Sequence, residues 1–146
     1  MNMDRCVLVA EDDENDSFFL QRAFTKAEVK NPLYFVHDGQ QAIEYLSGEG
    51  KYSDRQHYPL PCLMMLDLKM PHRTGMEVLL WMQNQKQLQS IPVIVFSSSL
   101  DPVEMETAYQ RGASAFVSKP YNSHERIELI KTIRAFWLTF NQLPFS

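Results

Sequence analysis

Residues 63 to 71, LMMLDLKMP, decide the fold. The apolar run is too short for a helix and is continuous instead of alternating, so it reads as a strand covered on both faces. It breaks off at Asp67, which puts a carboxylate at the rim of a buried strand, and a turn follows at Pro71. Four further runs share this character: CVLVA (6 to 10), LYFV (33 to 36), PVIVF (92 to 96) and AFV (115 to 117), and with Cys62 the central run becomes CLMML (62 to 66). Segments of helical period separate them. Leu20, Ala23, Phe24 and Ala27 form one apolar stripe, Ala42, Ile43 and Leu46 mark a helix after the turn HDG, and Val78, Leu79 and Met82 mark another after Gly75. Alternating strands and helices predict an α/β fold, an open parallel sheet with helices on both faces, because parallel crossovers are right-handed and need covering helices.

Composition sets the scale. The 146 residues are 45% hydrophobic, which fits one compact domain with a substantial core. A formal charge of -4 and scattered Lys and Arg residues argue against direct nucleic-acid binding. Cys6 and Cys62 lie inside apolar runs without metal-ligand spacing, so they read as buried reduced thiols, and a cytoplasmic location is expected. No signal-type stretch opens the chain and no segment approaches a membrane span, so no membrane association is expected. The connection 48 to 61, GEGKYSDRQHYPLP, lacks periodicity and reads as an ordered surface loop or a partner contact.

In a doubly wound sheet, ligands bind outside the carboxyl ends of the strands. The unusual polar residues collect there. Glu11, Asp12 and Asp13 follow the first strand, Asp67 ends the third, Ser97 and Ser98 end the fourth, and Lys119 follows the fifth, directly before Pro120. Each has a plain reading alone: a solvated helix cap for Glu11 to Glu14, a loop for Ser97 to Ser99, a surface lysine for Lys119. Their meeting at four strand ends makes a shared site the better reading. Clustered carboxylates repel one another, and a hard divalent cation with oxygen ligands, most simply Mg²⁺, relieves them. A carboxylate beside Mg²⁺, a hydroxyl and an ammonium can accept a phosphoryl group, since the cations offset charge on the transferred oxygens.

These segments resemble the receiver domains of two-component response regulators, of the chemotaxis-regulator type. VLVAEDDEND looks like the first strand with its acidic pair, Glu11 and Asp12, and with Asp13 as the variable position after it. LMMLDLKMPHRTG resembles the phosphoacceptor segment, IPVIVFSSS the switch strand, and RGASAFVSKP the segment with Phe116 and the Lys119-Pro120 pair. The resemblance covers residues 5 to about 138, with 139 to 146 as a tail, and implies a single flavodoxin-like domain of strand order 2-1-3-4-5. It implies that Asp67 takes a phosphoryl group from a histidine kinase. Asp12 and Asp67 would ligate Mg²⁺ directly, Glu11 mainly through water, and the Lys69 backbone carbonyl would be the third protein ligand. Ser97 would swing toward the phosphoryl oxygens, Lys119 would pair with them, Phe116 would follow the hydroxyl inward, and Lys119-Pro120 would be a cis peptide.

The long segment 48 to 61 and the ending IRAFWLTFNQLP further resemble single-domain regulators that partner phytochrome-type histidine kinases. No output domain is expected after the fifth helix, so the signal would pass through protein contacts. On the last helix Leu129, Ile133, Phe136 and Phe140 make one apolar stripe, widened by Ile130, Trp137 and Leu138. That surplus predicts a homodimer. The alternative is a tail folded back on its own domain. Two other readings stand beside the phosphoacceptor. A Mg²⁺-dependent phosphohydrolase would place a DxD pair on the nucleophile strand, whereas Asp67 is followed by Leu68 and Lys69. A degenerate receiver acting as a binding scaffold would lack an acid, the aspartate or the lysine, and here all are present.

Overall fold

The computed structural model describes residues 5–144. Five strands, β1 (Val7–Ala10), β2 (Leu33–Val36), β3 (Leu63–Leu66), β4 (Val93–Ser97) and β5 (Ala115–Ser118), form one parallel sheet in the order β2-β1-β3-β4-β5. The register pairs Ala10 with both Val36 and Leu66, and Leu66 with Val95, so the strands end nearly level and the residues just beyond them share one rim.

Alternate residues feed two cores, as the period of a strand requires. Leu8, Ala10, Met64, Leu66, Val93 and Val95 face α2 (Gly39–Ser47), α3 (Gly75–Gln83) and α4 (Pro102–Gln110). Val7, Val9, Leu63, Met65, Ile94 and Phe96 face α1 (Glu14–Lys26) and α5 (Ser123–Ala135). The three inner strands are wholly buried, which explains their unbroken apolarity. β2 and β5 lie at the edges and are mostly half-buried, so cover on both faces holds less well for them.

Helix starts are written in the sequence. Asp13, Asp38 and Asn122 each accept a backbone N–H of the helix they precede, and Thr74 and Glu77 make a reciprocal capping box at α3. All four helices start on the carboxyl side of the sheet, because each follows the end of a parallel strand.

The segment 48 to 61 is an ordered loop pinned to α2. Arg55 Nη1 donates to the Tyr45 carbonyl and Nη2 to the Leu46 carbonyl, both at 2.7 Å, so the guanidinium caps the last turn of the helix, where the Gly48 amide also donates to the Tyr45 carbonyl at 3.2 Å. The rings of Tyr45, Tyr52 and Tyr58 pack around the same corner, tilted for Tyr45–Tyr52 with centroids 5.0 Å apart and edge-to-face for Tyr52–Tyr58 at 5.1 Å.

The tail departs from the expected single stripe. After Ala135 the chain makes a π turn over Phe136–Phe140, and the extra residue in such a turn rotates the subsequent side chains out of the α-helical register. Leu138 and Leu143 go into the core beside Ile130 and Ile133, with Trp137 packed against it. Phe136 and Phe140 turn outward, 51% and 73% exposed. The tail therefore folds back with part of its apolar surface and presents the rest.

Candidate functional site

The level strand ends bring Glu11, Asp12, Asp67, Ser97 and Lys119 to one rim. Glu11 is placed by the sheet itself, its amide donating to the Val36 carbonyl at 3.0 Å, and its side chain is fully buried. Asp67 is held likewise, its amide donating to the Ala10 carbonyl at 3.1 Å, and is 4% exposed. Asp12 stands open to solvent beside them. One carboxylate oxygen from each of Glu11, Asp12 and Asp67 can be chosen so that all lie within 4.8 Å of one another. An all-carboxylate set of this kind, open on one side, fits a small hard cation that keeps several waters.

Lys119 supplies the positive charge. Its amide donates to the Ser97 carbonyl at 2.9 Å, which fixes its height on the rim. Its Nζ lies 2.7 Å from Glu11 Oε1, 3.1 Å from Asp67 Oδ2 and 3.4 Å from Asp16 Oδ2, and 5.3 Å from the centre of the Phe96 ring. Burial works against the ammonium, but the bond to Glu11 and the charge of Asp67 outweigh it and hold the lysine protonated well above its ordinary range. Burial also pushes the Glu11 carboxyl up, to about 7, and Lys119 opposes that rise.

Ser97 ends β4, buried, and its Oγ accepts the Ser99 amide at 3.1 Å. Phe116 pairs with Val95 across β4 and β5 and is half-buried against the core on the α2, α3 and α4 side. Lys69 is exposed, and its amide donates to Asp67 Oδ1 at 3.3 Å. The expected cis Lys119-Pro120 bond is not found: no peptide bond among the described residues is cis. The trans form is the cheaper isomer, and with it the Ser97 anchor already brings the ammonium onto the carboxylates.

Asp16 is the site residue that the sequence reading missed. A carboxylate in the first turn of α1, directly after an acidic pair, was the available signal, because that turn starts at the rim.

An acidic pocket and a lysine on the carboxyl rim of a 2-1-3-4-5 sheet define a class, the receiver domains of two-component signalling. Residues 7–133 match the response regulator receiver domain family, and the chain belongs to it; it is a receiver, not a conventional enzyme. Among curated proteins, the response regulator Rcp1 of Synechocystis is 28% identical over 143 residues, covering 98% of this chain and 95% of that one. Among solved structures, response regulator RPA3017, from red light signalling of R. palustris, superposes with a TM-score of 0.91 at 32% identity, covering 97% of this chain and 99% of that one. The phosphorylated cyanobacterial phytochrome response regulator RcpA gives 0.88 at 30% identity, covering 96% and 98%. The Mn²⁺-bound form of Rcp1 gives 0.85 at 28% identity, covering 96% and 99%. The chain is thus related to phytochrome-associated response regulators. Among the described residues, no helix is long and apolar enough to cross a membrane.

Proposed function

We propose that this receiver accepts a phosphoryl group on Asp67 from the phosphohistidine of a histidine kinase, of phytochrome type, and passes the signal on through protein contacts. The observation that carries the reading is the setting of Asp67: a buried carboxylate with an ammonium at 3.1 Å and two further acids beside it. An oxygen of Asp67 forms a bond to phosphorus as the bond from phosphorus to the kinase imidazole breaks, and the leaving imidazole regains its electron pair. Asp12 and Asp67 would hold Mg²⁺ directly, with the Lys69 carbonyl as a third protein ligand. Glu11, already 2.7 Å from Lys119, would reach it through water. The cation, when bound, offsets charge on the transferred oxygens. The chemistry of the donor set supports this fit, and a relative's Mn²⁺-bound form supports a divalent ion.

Lys119 would pair with the new phosphoryl oxygens. Ser97, one strand end away, would turn its hydroxyl toward them, and Phe116 would move into the space released. A new charged group that biases two arrangements in this way is a switch. The exposed Phe136 and Phe140 support a homodimer built on the tail, and the resemblance to phytochrome-associated regulators supports a phytochrome-type kinase partner and a cytoplasmic location for this chain.

The test is incubation with acetyl phosphate and Mg²⁺, then with a panel of histidine kinases. One phosphoryl adduct by intact mass, labile to hydroxylamine and mapped to Asp67, is the expected outcome. Equal labelling of Asp67→Asn would overturn the assignment.

A further inference from the structure

Asp16 closes the stretch VLVAEDDEND without a role of its own in it, yet its Oδ2 lies 3.4 Å from Lys119 Nζ. An ammonium has three N–H donors. Here three carboxylates share it: Glu11 at 2.7 Å, Asp67 at 3.1 Å and Asp16 at 3.4 Å. Two of these contacts, to Asp67 and Asp16, have hydrogen-bond geometry, while Glu11 Oε1 is held as a close ion pair.

Under the function proposed above, on which this inference rests, a phosphoryl group arriving on Asp67 brings oxygens that require the ammonium. Those oxygens then compete with its present partners. Glu11 is fully buried, so drawing the ammonium away from it costs more than at an exposed carboxylate. Asp67 carries the phosphoryl group, so its partner stays within reach of the new oxygens. The Asp16 side chain is 48% exposed, and water can replace the lysine there at little cost.

We infer that Asp16 is a positioning residue that holds one donor of Lys119 in the resting protein and yields it to a phosphoryl oxygen. It touches no reacting atom. It sets the cost of reaching the phosphorylated state through the lysine, and it ties the first turn of α1 to the segment after β5 until the phosphoryl group replaces it. The Asp16 amide is bonded to Asp13 Oδ1 at 2.9 Å, so the helix cap does not depend on the Asp16 carboxylate.

The test is calorimetric titration of the full chain with beryllium trifluoride in the presence of Mg²⁺, a mimic of the phosphoryl group on a carboxylate. Releasing an exposed ion pair predicts that Asp16→Asn binds it about 2–5-fold more tightly than wild type. Asp16→Glu, which keeps the carboxylate, returns toward wild-type affinity. Glu14→Gln removes one charge from the same helical turn without touching Lys119 and stays near wild type. An Asp16→Asn affinity at or below wild type would overturn the inference. So would Glu14→Gln matching Asp16→Asn, since the effect would then be one of net charge. Wild-type protein that takes up no beryllium trifluoride would overturn the phosphoacceptor reading itself, and this inference with it.

Discussion

A β-carbon on Gly75 would lie 2.3 Å from the Asp67 carbonyl oxygen, so the first turn of α3 rests directly on the backbone of the proposed phosphoacceptor. The Gly75 amide donates to the Leu68 carbonyl at 2.9 Å, which closes the loop between them. The obstructing atoms are backbone and cannot turn aside. Gly75→Ala is therefore expected to destabilise the fold by about 1–3 kcal/mol, the usual cost of overpacking. Urea unfolding measures that loss. Because the shift falls on Asp67, the rate of phosphorylation by acetyl phosphate should fall as well, and a variant equal to wild type in both would show that the contact relaxes freely.

Asp12 is the exposed member of the three-carboxylate set, so it is the one whose removal costs the fold least. Mg²⁺ is expected to raise the melting temperature of the wild type by mass action on the folded state. With Asp12→Ala the apparent midpoint in the metal-free protein should stay within a few degrees of wild type, while the Mg²⁺-dependent rise is lost. Thermal melts across a Mg²⁺ series give both quantities. A rise of wild-type size in the variant would remove Asp12 from the metal site.

How far the sequence reveals the site depends on how local each signal is. Glu11, Asp67 and Ser97 each sit one step beyond an apolar run and Lys119 two steps beyond, and in a parallel sheet that position alone brings them together. The order of the strands and the roles of the residues came from family resemblance, since periodicity cannot choose among sheet orders. Asp16 was hidden because its partner lies 103 residues away, and nothing in the helix-opening stretch ENDS distinguishes a cap from a lysine partner. The Lys119-Pro120 bond was misread because the lysine is aimed by the Ser97 carbonyl, a long-range bond invisible in the dipeptide. The grip of Arg55 on α2 was equally illegible, because a guanidinium reaching helix-end carbonyls leaves no periodic trace.

Burial pushes the Cys6 thiol up to about 11, and its Sγ lies 3.7 Å from the Tyr45 hydroxyl, whose ionisation burial also opposes. Cys62 is raised by the same cause. A thiol raised in the folded state keeps its proton there after the unfolded chain has lost its own. Its contribution to stability is therefore complete below the unfolded value near 9 and is lost as pH climbs through about 11. At neutral pH neither cysteine should react with a thiol reagent until the protein is unfolded. Between pH 9 and 11 the unfolding free energy of the wild type should fall, and Cys6→Ala should lose less over that interval, by at most about 2–3 kcal/mol. Parallel slopes for the two proteins would mean that other groups carry the alkaline loss.

Leu138 and Phe140 separate the two roles of the tail, since one is buried in the core on the α1 and α5 side and the other is 73% exposed. Leu138→Ala removes buried methyl groups and should cost about 2–4 kcal/mol in urea unfolding. Phe140→Glu removes no internal contact of that kind and should leave monomer stability near wild type. If the outward aromatics form the dimer proposed above, Phe136→Glu and Phe140→Glu raise its dissociation constant in sedimentation or light scattering, while Leu138→Ala acts through folding alone. Trp137→Glu is the poorer probe, because the Trp137 ring packs both against the core and edge-on to Phe136, with centroids 5.1 Å apart, and would disturb both terms. A wild type that remains monomeric at tens of micromolar would assign the exposed rings to a different partner, and the fold-back of Leu138 and Leu143 would then be the whole structural role of the tail.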